Sequence, residues 1–371
     1  AAAAAAFAQP VQISAPRGAR PGHPSTSRRI AAAADRLAAA LREALNGTAA
    51  AAELLDEEVL EAVQWARYHD RVNSVQLVVY ANKAHENLGV LQASGPLPLR
   101  VLSQDGEWKG TMDKLIGYWS FLQTVDDADI VAFVDAFDVF PNGIDGHELL
   151  RRYFSFGRPV VISAEENIFP REVAPLADEA IEILAEMGAA NSSAPSRFLN
   201  AGGIIGRGWA LRRIYNDVRE NMVANDPGLL MRYSNVVGHW FLHAYDQYEL
   251  WRYLIRHAEA SRGAGRAPLL ALDTEQLIFG STVYVKDNWP DVFGADVMGG
   301  VRGSHSIDVD VALVFDAPQE LFELRGCSAR FAGRRHFPVF WHGHGPWKPA
   351  WEGLRDRLAA AGCLPPAPPK K

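Results

Sequence analysis

Cysteine is scarce in this sequence, with only Cys327 and Cys363 among 371 residues. Two cysteines that lack a Cys-x-x-Cys spacing cannot form a zinc knuckle, so that kind of structural metal site is excluded. The pair leaves two states open, which are one disulfide bond or two free thiols.

Positive charge and long apolar runs are lacking as well. The chain has 37 lysines and arginines against 44 aspartates and glutamates, and its formal net charge is −7. A surface for nucleic acid needs a basic excess, so we expect no nucleic-acid partner. No run of about 18 apolar residues occurs, so we also expect no membrane span.

The first residues, AAAAAAFAQP, have no positive region and no clear apolar core, so we expect no complete signal peptide among them. Two Asn-x-Ser/Thr triplets do occur, at Asn46 and at Asn191. Such triplets are acceptors for N-glycans in secreted proteins. They favour the lumen of the secretory pathway (ER or Golgi) or the outside of the cell.

The composition is that of a globular protein, with 48% hydrophobic and 22% charged residues. Residues 1–29 are rich in Ala, Pro, Gly, Ser and Arg, which predicts a flexible arm. Helix-compatible apolar spacing follows over residues 30–45 and 53–68. We interpret residues 30–362 as a single domain with this helical extension, and residues 363–371 as a polar tail.

From residue 75 onward, short apolar strands alternate with amphipathic helices. Such alternation indicates βαβ units and therefore an α/β sheet covered by helices. A Gly- and Asp-rich loop is predicted over residues 281–308. The predicted strands are 75–80, 99–102, 130–134, 160–163, 203–205, 269–272, 277–279, 312–315 and 339–341. The predicted helices are 83–91, 112–122, 149–154, 209–223, 246–257 and 351–361.

The strand IVAFV is followed directly by Asp135 and, three residues later, by Asp138. Ligands of open α/β sheets lie at the carboxyl ends of the strands. Two carboxylates that converge at such an edge repel each other unless a cation joins them, and they suit Mg²⁺, Ca²⁺ or Mn²⁺. The motif by itself also fits phosphatases and nucleases, or one aspartate that caps a turn beside an exposed one.

A second apolar strand ends in the segment HGHGPWK, which begins at His342. An imidazole from His342 would complete a metal site with the two aspartates, and it moves the preference from Mg²⁺ toward Mn²⁺. Lys348 can neutralise a phosphate. The glycines in the segment allow close approach of the backbone to a ligand.

Polar groups also end one further predicted strand and precede another. Glu165 ends a predicted strand and could bind a sugar, act as a base or form a salt bridge. In the segment Asn200-Ala201-Gly202-Gly203, the amide could bind sugar hydroxyls and the glycines could admit a sugar, although an ordinary turn is also compatible.

Taken in order, several segments resemble a known family. They are LVVYA ending at Ala81, EWKG with Lys114, FVDAFDV, VISAE, RFLNAGGIIG, Asp246-Gln247, LDTEQLIF and HGHGP. Between Val75 and Lys348 their order and spacing resemble the glycosyltransferase domain of the procollagen-lysine hydroxylase/glycosyltransferases, and more distantly other GT-A transferases. One departure is that Asp246 stands alone before Gln247, where the family has a run of aspartates.

The resemblance implies a GT-A fold, a UDP-sugar donor, a protein or glycan acceptor such as collagen hydroxylysine, and Mn²⁺ held by Asp135, Asp138 and His342. It implies that the Val79–Asn82 segment holds uracil and ribose, that Phe137 stacks on the uracil, and that His344 lies beside the donor phosphates. The expected donor-binding residues are Val79, Tyr80, Ala81, Lys114, Phe137, Asn200, Gly202, Gly203, Gln247, His344, Gly345 and Lys348.

The expected reaction breaks the bond between the anomeric carbon and the diphosphate, whose growing charge the metal and Lys348 or Lys114 would stabilise. A retaining reaction can pass the acceptor proton to the leaving phosphate. An inverting reaction needs a carboxylate base, for which Asp246 and Glu165 are the candidates. Two rival hypotheses are a nucleotide-sugar-binding protein without transfer and a metal-dependent phosphohydrolase.

Overall fold

The computed structural model describes residues 72–103, 111–166, 168–169, 173–225, 246–281, 322–331, 335–343 and 348–365. The arm, the two helices predicted before residue 70, the predicted strand 312–315 and all but the first residue of the predicted 281–308 loop lie outside these ranges.

The chain divides into two compact units, residues 1–74 with 126–129 and residues 75–125 with 130–371. In the described part of the first unit, the Ser74 hydroxyl donates a hydrogen bond to Asp129 Oδ1 at 2.7 Å. All strands and helices described below belong to the second unit.

The strands of the described ranges form three sheets, of six, three and two strands. In chain order they are β1 (Val75–Tyr80), β2 (Leu99–Leu102), β3 (Ile130–Val134), β4 (Val139–Pro141), β5 (Val160–Glu165), β6 (Phe198–Arg207), β7 (Leu270–Asp273), β8 (Phe279–Ser281), β9 (Phe322–Arg325), β10 (Ser328–Phe331) and β11 (Phe340–His342).

The central sheet has the order β2-β1-β3-β6-β5-β7. Strand β1 is parallel to β2 and β3, and β5 is parallel to β7, whereas β6 is antiparallel to both β3 and β5. The reversed direction of β6 brings its first half to the carboxyl ends of its neighbours, where Gly203 pairs with Val134 and Phe198 pairs with Glu165. The polar residues that follow or end these strands therefore share one edge of the sheet.

A three-stranded sheet of order β4-β11-β8 carries the second part of this edge. Strand β11 is antiparallel to β4 and parallel to β8. The buried amide of Asn142 ties this sheet to the β9–β10 hairpin, because it donates to the carbonyls of Ala329 and Pro338, both at 2.7 Å, and accepts from the Ala329 N–H at 2.6 Å. Gly326 has φ +58 in the hairpin turn, a conformation that suits glycine.

Helices flank the central sheet, and the described ones are α1 (Glu86–Ser94), α2 (Thr111–Leu122), α3 (Gly146–Ser155), α4 (Ala174–Glu186), α5 (Gly208–Asn225), α6 (Asp246–Ala264) and α7 (Lys348–Ala360). Strand β3 is buried at all five positions, as a central strand between two layers requires. Its apolar side chains share a core cluster with those of β1, α1 and β11.

The structure confirms the predicted α/β class as a mixed, Rossmann-like sheet flanked by helices. The strand predicted at residues 277–279 is wrong by two residues, since β8 begins at Phe279. The reason is the buried carboxylate of Asp273, which accepts the N–H groups of Leu277, Ile278 and Phe279 at 2.7, 2.7 and 2.8 Å. These bonds hold the segment before Phe279 in a turn.

The two cysteines, left open by the sequence, form a Cys327–Cys363 disulfide bond. The bond joins the turn of the β9–β10 hairpin to the segment that follows α7. Across the described ranges, none of the helices is long and apolar enough to span a bilayer.

Candidate metal centre

Asp135 and Asp138 lie on the turn that joins β3 to β4. The backbone of Asp135 donates to the Gly202 carbonyl at 3.1 Å, which ties the turn to β6. At the other end, the Asp138 carbonyl accepts the Gly343 N–H at 2.8 Å. The turn is thereby fixed between the central sheet and the end of β11, with both carboxylates half-buried.

Asn87 supports this turn, and sequence reasoning missed it. Its buried side-chain amide donates to the carbonyls of Ala136 at 3.1 Å and Val139 at 2.5 Å. The sequence shows only an asparagine within a predicted helix, and it does not reveal that this amide reaches a turn some fifty positions later.

His342 ends β11, where it pairs with Val139 across the antiparallel β4–β11 ladder. This pairing brings the imidazole to the aspartates although about two hundred positions separate them in sequence. Its Nε2 atom lies 3.4 Å from Asp135 Oδ2 and 3.5 Å from Asp138 Oδ1. The ligand atoms of the three side chains all lie within 4.8 Å of one another, so this group could hold a metal ion.

Lys114 lies on the other side of Asp135. Its Nζ atom is 2.7 Å from Asp135 Oδ1 and 2.6 Å from Asp246 Oδ2. Burial by itself lowers the pKa of Lys114, but the two carboxylates outweigh it and raise the pKa well above its usual value. Burial raises the pKa of Asp246, against the opposing pull of Lys114. Of the residues predicted to contact the donor or act as a base, Lys114 and Asp246 thus form one buried ion pair.

Glu165 and Gln247 form a second buried group beside the first. Glu165 Oε1 accepts from the amides of Asn200 at 3.1 Å and Gln247 at 2.9 Å. The Gln247 amide also donates to the Phe169 carbonyl at 2.8 Å, and its oxygen accepts the Ala201 N–H at 3.1 Å. These bonds fix the Glu165 carboxylate on the shared edge of the sheet.

The glycines of β6 leave room for protein groups. A Cβ atom on Gly202 would lie 2.1 Å from Cε1 of His342, and one on Gly203 would lie 2.5 Å from the Phe279 ring. Real Cβ atoms essentially never show contacts this short, so a side chain at either position would displace the neighbouring ring. Contact of these glycines with a sugar stays a prediction.

The residues predicted to hold the base and ribose lie around β1. Val79 and Ala81 are buried in the core. Tyr80 is half-buried and its ring packs against Gly117, where an added Cβ atom would lie only 2.5 Å from the ring. Phe137 is half-buried between the two aspartates, with the His85 ring 4.8 Å away and Lys83 Nζ 5.8 Å from its centroid. An aromatic face therefore adjoins the candidate metal ligands.

Three predicted donor contacts cannot be placed. His344 and Gly345 lie outside the described residues, and for Lys348 the structure describes only the backbone, at the start of α7.

The sequence matches no family model, and it matches no curated protein. Among solved structures, the chain is similar to the one titled "Crystal Structure of A197 from STIV", at 14% identity and a TM-score of 0.24. The match covers 38% of this chain and 67% of that chain. A TM-score this low supports no inference about fold or function.

Proposed function

We propose that this chain is a glycosyltransferase that uses Mn²⁺ to transfer a hexose from a UDP-sugar to a hydroxyl acceptor. The observation that carries the proposal is the convergence of Asp135, Asp138 and His342 at the carboxyl end of β3, with Phe137 beside them. The resemblance between residues 75 and 348 to the procollagen-lysine glycosyltransferases supports the choice of donor and acceptor.

The three side chains have the chemistry that Mn²⁺ requires. Two carboxylates supply hard oxygen ligands, and an imidazole shifts the preference from Mg²⁺ toward a transition ion. A Cβ atom on residue 202 would collide with the His342 ring. Because this residue is a glycine, the imidazole can lie against both carboxylates. When bound, such an ion supplies Lewis-acid stabilisation of the leaving diphosphate.

The neighbouring residues have distinct tasks in this proposal. Phe137 offers its ring to the uracil, and the buried Glu165 lies on the same edge as the metal ligands. An inverting reaction needs a base, and Lys114 already holds the charge of Asp246. Glu165 accepts hydrogen bonds from the amides of Asn200 and Gln247, and both it and Asp246 are candidates for the proton acceptor.

Two observations support a location in the secretory pathway within this proposal. The Cys327–Cys363 disulfide bond favours an oxidising compartment. Asn191 is exposed, as an acceptor for an N-glycan must be. Together they favour the lumen of the secretory pathway, where a hydroxylysine acceptor would also be found.

The test is a turnover assay with purified chain, Mn²⁺ and a panel of UDP-sugars, with and without a hydroxylysine-containing peptide. A transferase releases UDP faster with the peptide, and mass spectrometry detects the added hexose. Release that is equally fast without the peptide indicates a hydrolase, and binding without release indicates a sugar-nucleotide-binding protein. D138A should be inactive, and the exposed Asp178 in α4 provides a matched control, D178A.

A further inference from the structure

Asn200 lies between His342 and Glu165 and is almost fully buried. Its amide nitrogen donates to Glu165 Oε1 at 3.1 Å, while its amide oxygen accepts the Gly202 N–H at 2.8 Å. The same oxygen lies 3.1 Å from His342 Nδ1. The amide is therefore engaged with protein on both sides, and we expect it to serve the protein rather than a sugar hydroxyl.

These contacts determine which way the Asn200 amide faces. A backbone N–H can only donate, so the atom that meets the Gly202 N–H must be the amide oxygen. Glu165 agrees with this orientation, because its Oε1 atom is an acceptor that takes hydrogen bonds from the Asn200 amide nitrogen and from Gln247 at 2.9 Å. The group that faces His342 Nδ1 is therefore an acceptor, and Nδ1 must carry a hydrogen.

A neutral imidazole has one hydrogen, so a protonated Nδ1 leaves the lone pair on Nε2. Nε2 is the atom that faces Asp135 and Asp138 at 3.4 and 3.5 Å. A lone pair directed at two carboxylates is the arrangement that a cation between them would stabilise. In many metal sites the ligating histidine is held in this way by an acceptor on its other nitrogen.

We propose that Asn200 is a positioning residue that holds His342 as the Nδ1–H tautomer, with Gly202 providing the space for the ring. The proposal rests on the metal site of the proposed function but not on sugar transfer. It also couples Glu165 to the metal ligand, because the same amide that bonds Glu165 orients His342.

The first experiment measures the tautomer in the metal-free protein, so it does not depend on any donor or acceptor. Long-range ¹⁵N–¹H correlation spectra of ¹⁵N-histidine protein at slightly alkaline pH, assigned with H342Q, should show hydrogen on Nδ1 and a bare Nε2 for His342. Hydrogen on Nε2 with none on Nδ1 would overturn the proposal, whether or not the chain is a transferase.

The second experiment measures Mn²⁺ affinity by the EPR signal of free Mn²⁺. N200L removes the acceptor and should weaken binding about 10–100-fold, the usual effect of losing such a partner. In N200D/E165Q, the new carboxylate at position 200 still accepts from His342, and the new amide at position 165 donates to that carboxylate. This double variant should therefore recover most of the Mn²⁺ affinity. N216A, which alters an amide bonded to Trp119, is the control and should bind as wild type does.

Unchanged Mn²⁺ affinity in folded N200L would overturn the proposal, and so would an equal loss in N200L and N200D/E165Q. If N200L fails to fold, the wild-type tautomer measurement still decides the question.

Discussion

Two histidines of this protein have opposite surroundings. His257 on α6 is mostly buried, accepts the Leu269 N–H on Nε2 at 2.8 Å, and has Arg213 and Arg266 nearby. His342 instead directs Nε2 toward two carboxylates. In the first case a backbone N–H satisfies the lone pair and the histidine is structural. In the second the same atom faces negative charge, which is the environment that a bound cation needs.

The largest effect is expected from removing one of the two carboxylates that face His342. D138A should abolish Mn²⁺-dependent thermal stabilisation by UDP, because the donor phosphates would then lack their metal. H257Q, which changes the structural histidine, should keep that stabilisation. If D138A binds UDP in Mn²⁺ as tightly as wild type, the metal site is misassigned.

The charge beside His342 can be tested through Lys114, which neutralises Asp135 and Asp246. K114M leaves two carboxylates facing each other without their cation, and should lower the free energy of unfolding by about 3–5 kcal/mol. Urea denaturation measures this loss. The double variant K114M/D246L removes the opposing charge too and should be more stable than K114M. A loss below about 1 kcal/mol, as for an exposed ion pair, would refute this account of Lys114.

A moderate effect is expected at Phe137, the aromatic residue between the two aspartates. F137A should weaken UDP binding by about 1–3 kcal/mol, the scale of one base stacked on an aromatic ring. F137Y keeps the ring and should bind UDP as wild type does. Isothermal titration with UDP in Mn²⁺ measures both, and equal affinity of F137A and wild type would exclude stacking.

The smallest effect concerns the structural histidine. Burial, followed by the charges of Arg213 and Arg266, lowers the pKa of His257 to about 4, from 6.5. Between these values the unfolded chain binds more protons than the folded one, so stability rises with pH across this window and is lost as pH falls. At pH 5 we expect His257 to lower the free energy of unfolding by about 1–2 kcal/mol.

The control for that window is H257Q, whose amide oxygen can accept the Leu269 N–H but does not titrate. Denaturation at pH 5 and pH 7 should show a smaller pH difference for H257Q than for wild type. Equal differences in the two proteins would mean that His257 is not held neutral by its surroundings.

The sheet and the convergence of the candidate metal ligands were predictable because their signals are local. Strand β3 is wholly apolar and is followed at once by Asp135 and Asp138, and the strand before His342 has the same pattern. Ligands gather at the carboxyl ends of strands, so the two motifs predicted that these side chains meet. They do meet, although β3 belongs to the six-stranded sheet and β11 to the three-stranded one.

The parts that were missed depend on tertiary contacts. Strand β4 has three residues and exists through pairing with β11. The β9–β10 hairpin has mainly exposed residues in β9, so it lacks the apolar run that predicts a strand. The shift of β8 and the support of the Asp135 turn come from the side chains of Asp273 and Asn87, which bond backbone groups of other elements.

The most direct test of the account is the position of the metal. Crystals grown with Mn²⁺ and UDP, measured at the manganese absorption edge, should show an anomalous peak in contact with Asp135, Asp138 and His342 Nε2. At least one phosphate oxygen of UDP should touch the same ion. UDP bound with no manganese at these three side chains, or manganese bound elsewhere in the chain, would contradict the account.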